Sequence, residues 1–197
     1  MAGRPSKKKQ LGIWINGQKL GQWLVSASGE SLLRYEETWL NSETAHPLSL
    51  SLPLQTSGQP HRGRVVENYF DNLLPDSDSH RRNLAQHYQT QTTQVFDLLE
   101  QVGRDCVGAV QLLPEGATPQ SITHIEGQVL SAVQIASMIR NLGLSTATSA
   151  NIGGKAHDLR LSIAGAQDKT ALLWHEGQWL LPHGATPTTH ILKPPLG

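Results

Sequence analysis

The residues best suited to chemistry run from Arg160 to Thr170. Arg160, Leu161, Ser162 and Ile163 lead into Ala164, Gly165 and Ala166, then out through Gln167, Asp168 and Lys169. Small side chains in a loop between strands let backbone N–H groups approach a phosphate closely, where anything larger than a methyl would block them. The loop is not a Walker A motif. With Lys169 and Thr170 as its Lys-Thr pair, Asp168 falls where the second glycine belongs and Ile163 where the first belongs. A carboxylate at that point repels phosphate. The protein-kinase design instead joins two antiparallel strands by a small-residue loop and adds a lysine from a later strand that reaches the α- and β-phosphates. Lys193, after His190, Ile191 and Leu192 and before Pro194 and Pro195, stands where that lysine would. Spacing alone leaves this reading open beside a plainer one, a small loop between strands and a solvated terminal lysine.

Other chemistries have less behind them. Nine histidines are spread along the chain without His-Glu-x-x-His spacing or a Cys/His cluster, so no metal site is expected. There is no G-x-S-x-G elbow. Glu36 and Glu37 read as a solvated face and His190 as a hydrogen-bonded structural residue. Cys106 is the single cysteine, set in an apolar stretch with Val107 and Val110, and reads as a buried thiol.

The elements that must position these groups follow from hydrophobic period. Leu11, Ile13 and Ile15 alternate, Asn16-Gly17 supplies a type I′ turn, and residues 19–25 return, which predicts a hairpin. Further strands are expected at residues 31–35 and 48–52. Val65, Val66, Tyr69, Phe70, Leu73 and Leu74 form one helical stripe closed by Pro75. Ser77 or Asp78 caps a second helix to about His87, and Thr93 a third that Gly103 stops. A β-like run covers residues 107–113. Ser131 caps a helix bearing Ile135, Met138, Ile139 and Leu142, and Gly143 follows its end. Residues 145–158 read as a flexible connection. Strands are then expected at 159–163, 170–174, 178–181 (after a Glu176-Gly177 turn) and 190–193. The chain is therefore α+β.

Composition bounds the rest. With 197 residues, 38% hydrophobic and five tryptophans, the chain can build a core. Sixteen basic and sixteen acidic residues cancel, which argues against a surface built mainly for nucleic acid or anionic membrane. No stretch approaches the ~18–20 apolar residues of a membrane span, and a lone cysteine fits a reducing compartment, so a cytoplasmic protein without membrane partners is expected.

Three blocks resemble the HipA family of bacterial toxin kinases from type II toxin–antitoxin systems. The first runs from Pro47 to Leu54 and on through Phe70-Asp71-Asn72-Leu73-Leu74-Pro75-Asp76. The second holds Phe96-Asp97-Leu98-Leu99, Gly103-Arg104-Asp105 and Val107 to Val110. The third joins residues 162–173 to 184–193. Residues 1–10 read from composition as a basic flexible tail, and the resemblance implies a HipA N-terminal subdomain of β-hairpin, sheet and helices at 11–115, and at 116–197 the start of a kinase small lobe. It implies an ATP-dependent serine/threonine kinase that phosphorylates glutamyl-tRNA synthetase and causes growth arrest and persistence. A HipB-like antitoxin would neutralise it and tether it to operator DNA. Carried over to this sequence, Ala164, Gly165, Ala166, Gln167, Asp168 and Lys169 would cover ATP, Lys193 would bind it, and Ser162 would be autophosphorylated. The catalytic aspartate and the Mg²⁺ ligands are expected downstream of these residues, none being assigned here. The 197 residues alone are therefore expected to be inactive. The alternative is a naturally short, non-catalytic module that binds a separate kinase or antitoxin subunit.

Overall fold

The computed structural model describes residues 9–55, 58–106, 108–119, 124–142, 169–183 and 185–194. β1 (Lys9–Ile15) and β2 (Gln18–Val25) form the expected hairpin, with Asn16 and Gly17 at φ 49° and 78°, the two left-handed positions of a type I′ turn. β3 (Ser31–Tyr35), β4 (His61–Arg62) and β5 (Val110–Pro114) complete an antiparallel sheet in the order β4-β3-β2-β1-β5. A bulge between Ile13 and Trp14 sets Leu20 outside the simple alternation of β2. Leu20 and Trp23, three residues apart, are thereby both buried in one core.

That core lies between the sheet and the helices α1 (Glu37–Leu40), α2 (Arg64–Asp71), α3 (Asp78–His87) and α4 (Val95–Val102). The Trp23 indole stacks on Phe70 of α2 at 3.9 Å and 11°, and tilts against Phe96 of α4 at 4.9 Å. Full burial of such rings is worth about 1.5–3 kcal/mol each. Cys106 is buried here, its thiol pushed up to about 12 by burial, with Asp105 adding to the shift.

Four expectations change. Residues 48–52 form a tight turn instead of a strand: Leu52 N–H donates to Ser49 O at 3.0 Å, and Leu50 is 96% exposed. Tyr35 decides this, its hydroxyl accepting from Leu48 N–H at 2.9 Å and donating to Leu52 O. With both limbs held on one phenol, Leu48 and Leu52 turn inward and Leu50 outward. α2 stops at Asp71, short of the apolar stripe's end. Arg81 takes up the carbonyls there, donating to Pro75 O (2.7 Å) and to the Asp71 carboxylate (2.6 Å). At α4 the N-cap is Gln94, and the hydroxyl at that end is Thr92, not Thr93; it accepts from Gln94 N–H at 3.1 Å and donates to Asp97. In the run at 107–113, Val107 lies outside the described residues and β5 begins at Val110, which faces Ile15. The strand expected at 159–163 lies outside the described residues.

A second sheet follows in the order β6-β8-β7-β9: β6 (Gly127–Leu130), β7 (Thr170–His175), β8 (Gln178–Pro182) and β9 (His190–Leu192). β6 carries only one buried side chain and gave no apolar pattern to read. Ser131 opens α5 (Ala132–Leu142) as a capping box, accepting from Gln134 N–H while Gln134 accepts from Ser131 N–H at 2.8 Å. Ile135 and Met138 of α5 pack on Leu130, Leu172 and Leu181, a small core of its own.

Candidate functional site

The second sheet is where the sequence placed its phosphate chemistry. Glu176 and Gly177, at φ 48° and 78°, close the β7–β8 hairpin as Asn16 and Gly17 close the first. β9 is held against β7 through hydroxyls in the preceding loop. Thr189 Oγ1 accepts from Trp174 N–H at 2.8 Å, and Thr189 N–H donates to Leu172 O at 3.0 Å. Thr186, only 2% exposed, accepts from Glu126 N–H at 2.8 Å and so ties the loop to the approach to β6. These two threonines were not singled out from sequence. The pair of hydroxyl residues beside Pro187, just ahead of a strand, was the available signal.

The register leaves a lysine just beyond each of two paired strand ends. Thr170 faces Leu192, Ala171 faces Ile191 and Leu172 faces His190. One step beyond Thr170 and Leu192 stand Lys169, half-buried, and Lys193, exposed. By the two-residue alternation of strands, both share a sheet face with Ala171, Leu173 and Ile191. Leu173 faces Leu180, which faces Val129, so an apolar strip crosses all four strands on that face. Ala171 and Leu173 are buried, while Val129 and Ile191 are 53% and 56% exposed. α5 covers the opposite face. Two cations at the end of an apolar strip suit a ligand with a flat apolar part and an anionic part.

Ser162, Ala164, Gly165, Ala166, Gln167 and Asp168 lie outside the described residues, and of the sequence-derived site only Lys169 and Lys193 are described, each one residue past a paired strand end. His190 packs edge-on against Trp179 at 4.9 Å, and its Nδ1 lies 2.8 Å from Thr189 Oγ1. Glu36 is tied to Lys19 (2.8 Å) and Gln22 (3.0 Å); the Lys19 hydrogen bond holds its carboxyl below the usual range. Among the described residues no group of three or more His, Cys, Asp or Glu could hold a metal ion. No helix among them is long and apolar enough to cross a membrane.

A helix-backed antiparallel sheet followed by a second small sheet defines an α+β chain of the kind found at the N-terminal end of HipA proteins. Residues 11–123 match the HipA N-terminal domain, and the chain belongs to that family. It is 36% identical over 186 residues to the putative kinase Y4mE of Sinorhizobium fredii, covering 94% of this chain and 43% of that one. It is 24% identical over 190 residues to the serine/threonine-protein kinase toxin HipA of Shewanella oneidensis, covering 95% of this chain and 40% of that protein. A solved complex of HipA, HipB and operator DNA from Shewanella oneidensis MR-1 superposes with a TM-score of 0.65 at 24% identity, over 92% of this chain and 39% of that one. The chain thus spans about two-fifths of the length of these relatives.

Proposed function

We propose that this chain supplies the nucleotide clamp of a HipA-like, ATP-dependent serine/threonine kinase toxin. The observation behind this reading is the register of β7 and β9, which sets Lys169 and Lys193 at the end of an apolar strip. In this role Lys193 holds the α- and β-phosphates of ATP, and Lys169 adds a second positive charge. Ala171, Leu173 and Leu180 form the surface for the purine. Magnesium, bound to the phosphates, would neutralise charge during transfer; its ligands and the catalytic aspartate belong to residues not among these. Phosphorylation of Ser162 would add about −1.5 to −2 charges beside the nucleotide's own and disfavour its binding.

The same reading assigns the partners. A HipB-like antitoxin binds the chain and carries it to operator DNA, and glutamyl-tRNA synthetase is the phosphorylated substrate. The named relatives support the kinase class, and the HipA, HipB and operator DNA complex supports the antitoxin.

The test is equilibrium binding of a fluorescent ATP analogue, with and without Mg²⁺, to the wild-type chain and to Lys193→Ala. Saturable binding that weakens at least about tenfold in the variant, roughly 1.4 kcal/mol, supports the clamp. Equal binding by both proteins, or none, removes it.

A further inference from the structure

The outer face of the first sheet, opposite the core, has a composition that the nucleotide reading does not use. Two cross-strand rows follow from the register. Gln10 faces Leu24, Leu24 faces Leu32, and Leu32 faces Arg62. Beside them Leu113 faces Gly12, Gly12 faces Gln22, and Gln22 faces Arg34. Each row ends on an exposed arginine at the β3–β4 end of the sheet. Between the arginines lies a depression of about 290 Å³ floored by Leu24, Leu32 and Pro60, all half-buried. The floor is a small, half-buried aliphatic surface with an exposed guanidinium on either side.

The electrostatics name the occupant. Arg34 makes no direct ion pair among the described residues and acts on Glu36 only at longer range, behind Lys19 and Gln22 in holding that carboxyl down. Arg62 meets Glu30 only loosely, at 3.6 Å with both side chains about half exposed, a contact that a better-placed carboxylate can displace. The nearby Glu36 is already engaged by Lys19 and Gln22. Planar guanidinium groups on either side of an apolar floor fit carboxylates flanking an aliphatic side chain. A nucleic-acid backbone would gain nothing from Leu24 and Leu32. We infer that this face docks an acidic, leucine-type peptide segment of a partner protein, with its aliphatic side chain on Leu24 and Leu32 and its carboxylates on Arg34 and Arg62. The site is separate from the lysine pair and stands whether or not the chain binds a nucleotide.

The probe is a fluorescein-labelled peptide of alternating glutamate and leucine, titrated against the full chain by anisotropy, with its lysine-for-glutamate counterpart as control. Saturable binding of the acidic peptide, weakened at least about tenfold by Arg34→Glu with Arg62→Glu, is expected. The double variant should in turn gain binding of the lysine peptide. Both arginines are solvent-exposed, so the variant is expected to fold, and its amide NMR spectrum checks this. Leu24→Gln is a second variant that lowers affinity without altering charge. The inference falls if the acidic peptide shows no saturable binding up to about 1 mM. It also falls if charge reversal leaves affinity unchanged, or if a short DNA duplex binds this face and loses binding in the same variant.

Discussion

Trp23 of β2 and Phe70 of α2 lie ring on ring, centroids 3.9 Å apart and planes within 11°. No other residue links the sheet to both α2 and α4 through aromatic contacts among the described residues, since Trp23 also meets Phe96. Truncating Trp23 therefore opens a cavity at the centre of the larger core. Trp23→Ala should lower stability by about 3–5 kcal/mol, and Trp23→Phe, which keeps a ring on Phe70, by clearly less. Urea unfolding followed by circular dichroism measures both. Equal losses would mean that a ring kept on Phe70 at this position contributes nothing.

Gly21 is needed for close approach of β2 and β3. A Cβ there would sit 2.4 Å from Arg34 O, a backbone atom that cannot swing away. Gly21→Ala should therefore cost about 1–3 kcal/mol or more. At Gly12 the nearest atom to a Cβ is Trp14 Nε1, at 3.0 Å, the end of a side chain that can shift. Gly12→Ala should cost less, and thermal melts of the two variants side by side decide it.

Asp97 joins α4 to the start of β1. Partial burial opposes its ionisation, but the Lys9 ammonium and the Thr92 hydroxyl outweigh that and hold its carboxyl below the usual range. The stability it contributes is therefore complete above the ordinary aspartate value near ~3.9 and is lost as pH falls through the lower folded value. Its size is on the order of 1 kcal/mol, because Lys9 is partly exposed. Asp97→Asn should be less stable than wild type at pH 6, with the gap closing as pH falls below the ordinary aspartate value of ~3.9. Urea midpoints across that range test the sign; a gap that widens toward acid would reverse it.

Lys169 gives a prediction that separates charge from shape. If Lys169 and Lys193 act together on an anion, Lys169→Gln should weaken nucleotide binding by roughly three- to tenfold and flatten its dependence on salt. Lys169→Arg should retain most of the affinity. Competition titrations at two ionic strengths read both effects. An unchanged salt slope in Lys169→Gln would confine the phosphate contact to Lys193.

Much of the architecture was legible because it rests on local rules. Asn16-Gly17 sets a left-handed turn by backbone sterics, the Val66–Phe70 stripe follows the helical period, and Ser131 with Gln134 is a capping box at its proper spacing. The misreadings came where a distant group overrode the local pattern. Leu48, Leu50 and Leu52 alternate as a strand would, but Tyr35, more than ten residues earlier in the chain, pins both ends of the segment into a turn. β6 has too few apolar residues to announce a strand, and only its pairing with β8 makes it one.

By itself the sequence determined the α+β class, the order of the main elements, the resemblance to HipA and the two lysines worth attention. These depend on spacing along the chain, which tertiary context does not alter. The structure alone decided which residues meet. The bulge opposite Ile13 and Trp14 turns Leu20 and Trp23 into one core. The register of β9 on β7 pairs Thr170 with Leu192, the neighbours of Lys169 and Lys193, and the register of β2, β3 and β4 brings Arg34 and Arg62 to the same end of one face. Register is fixed by hydrogen bonds and packing between segments far apart in sequence, and a slip of one residue would send each of these side chains to the other face.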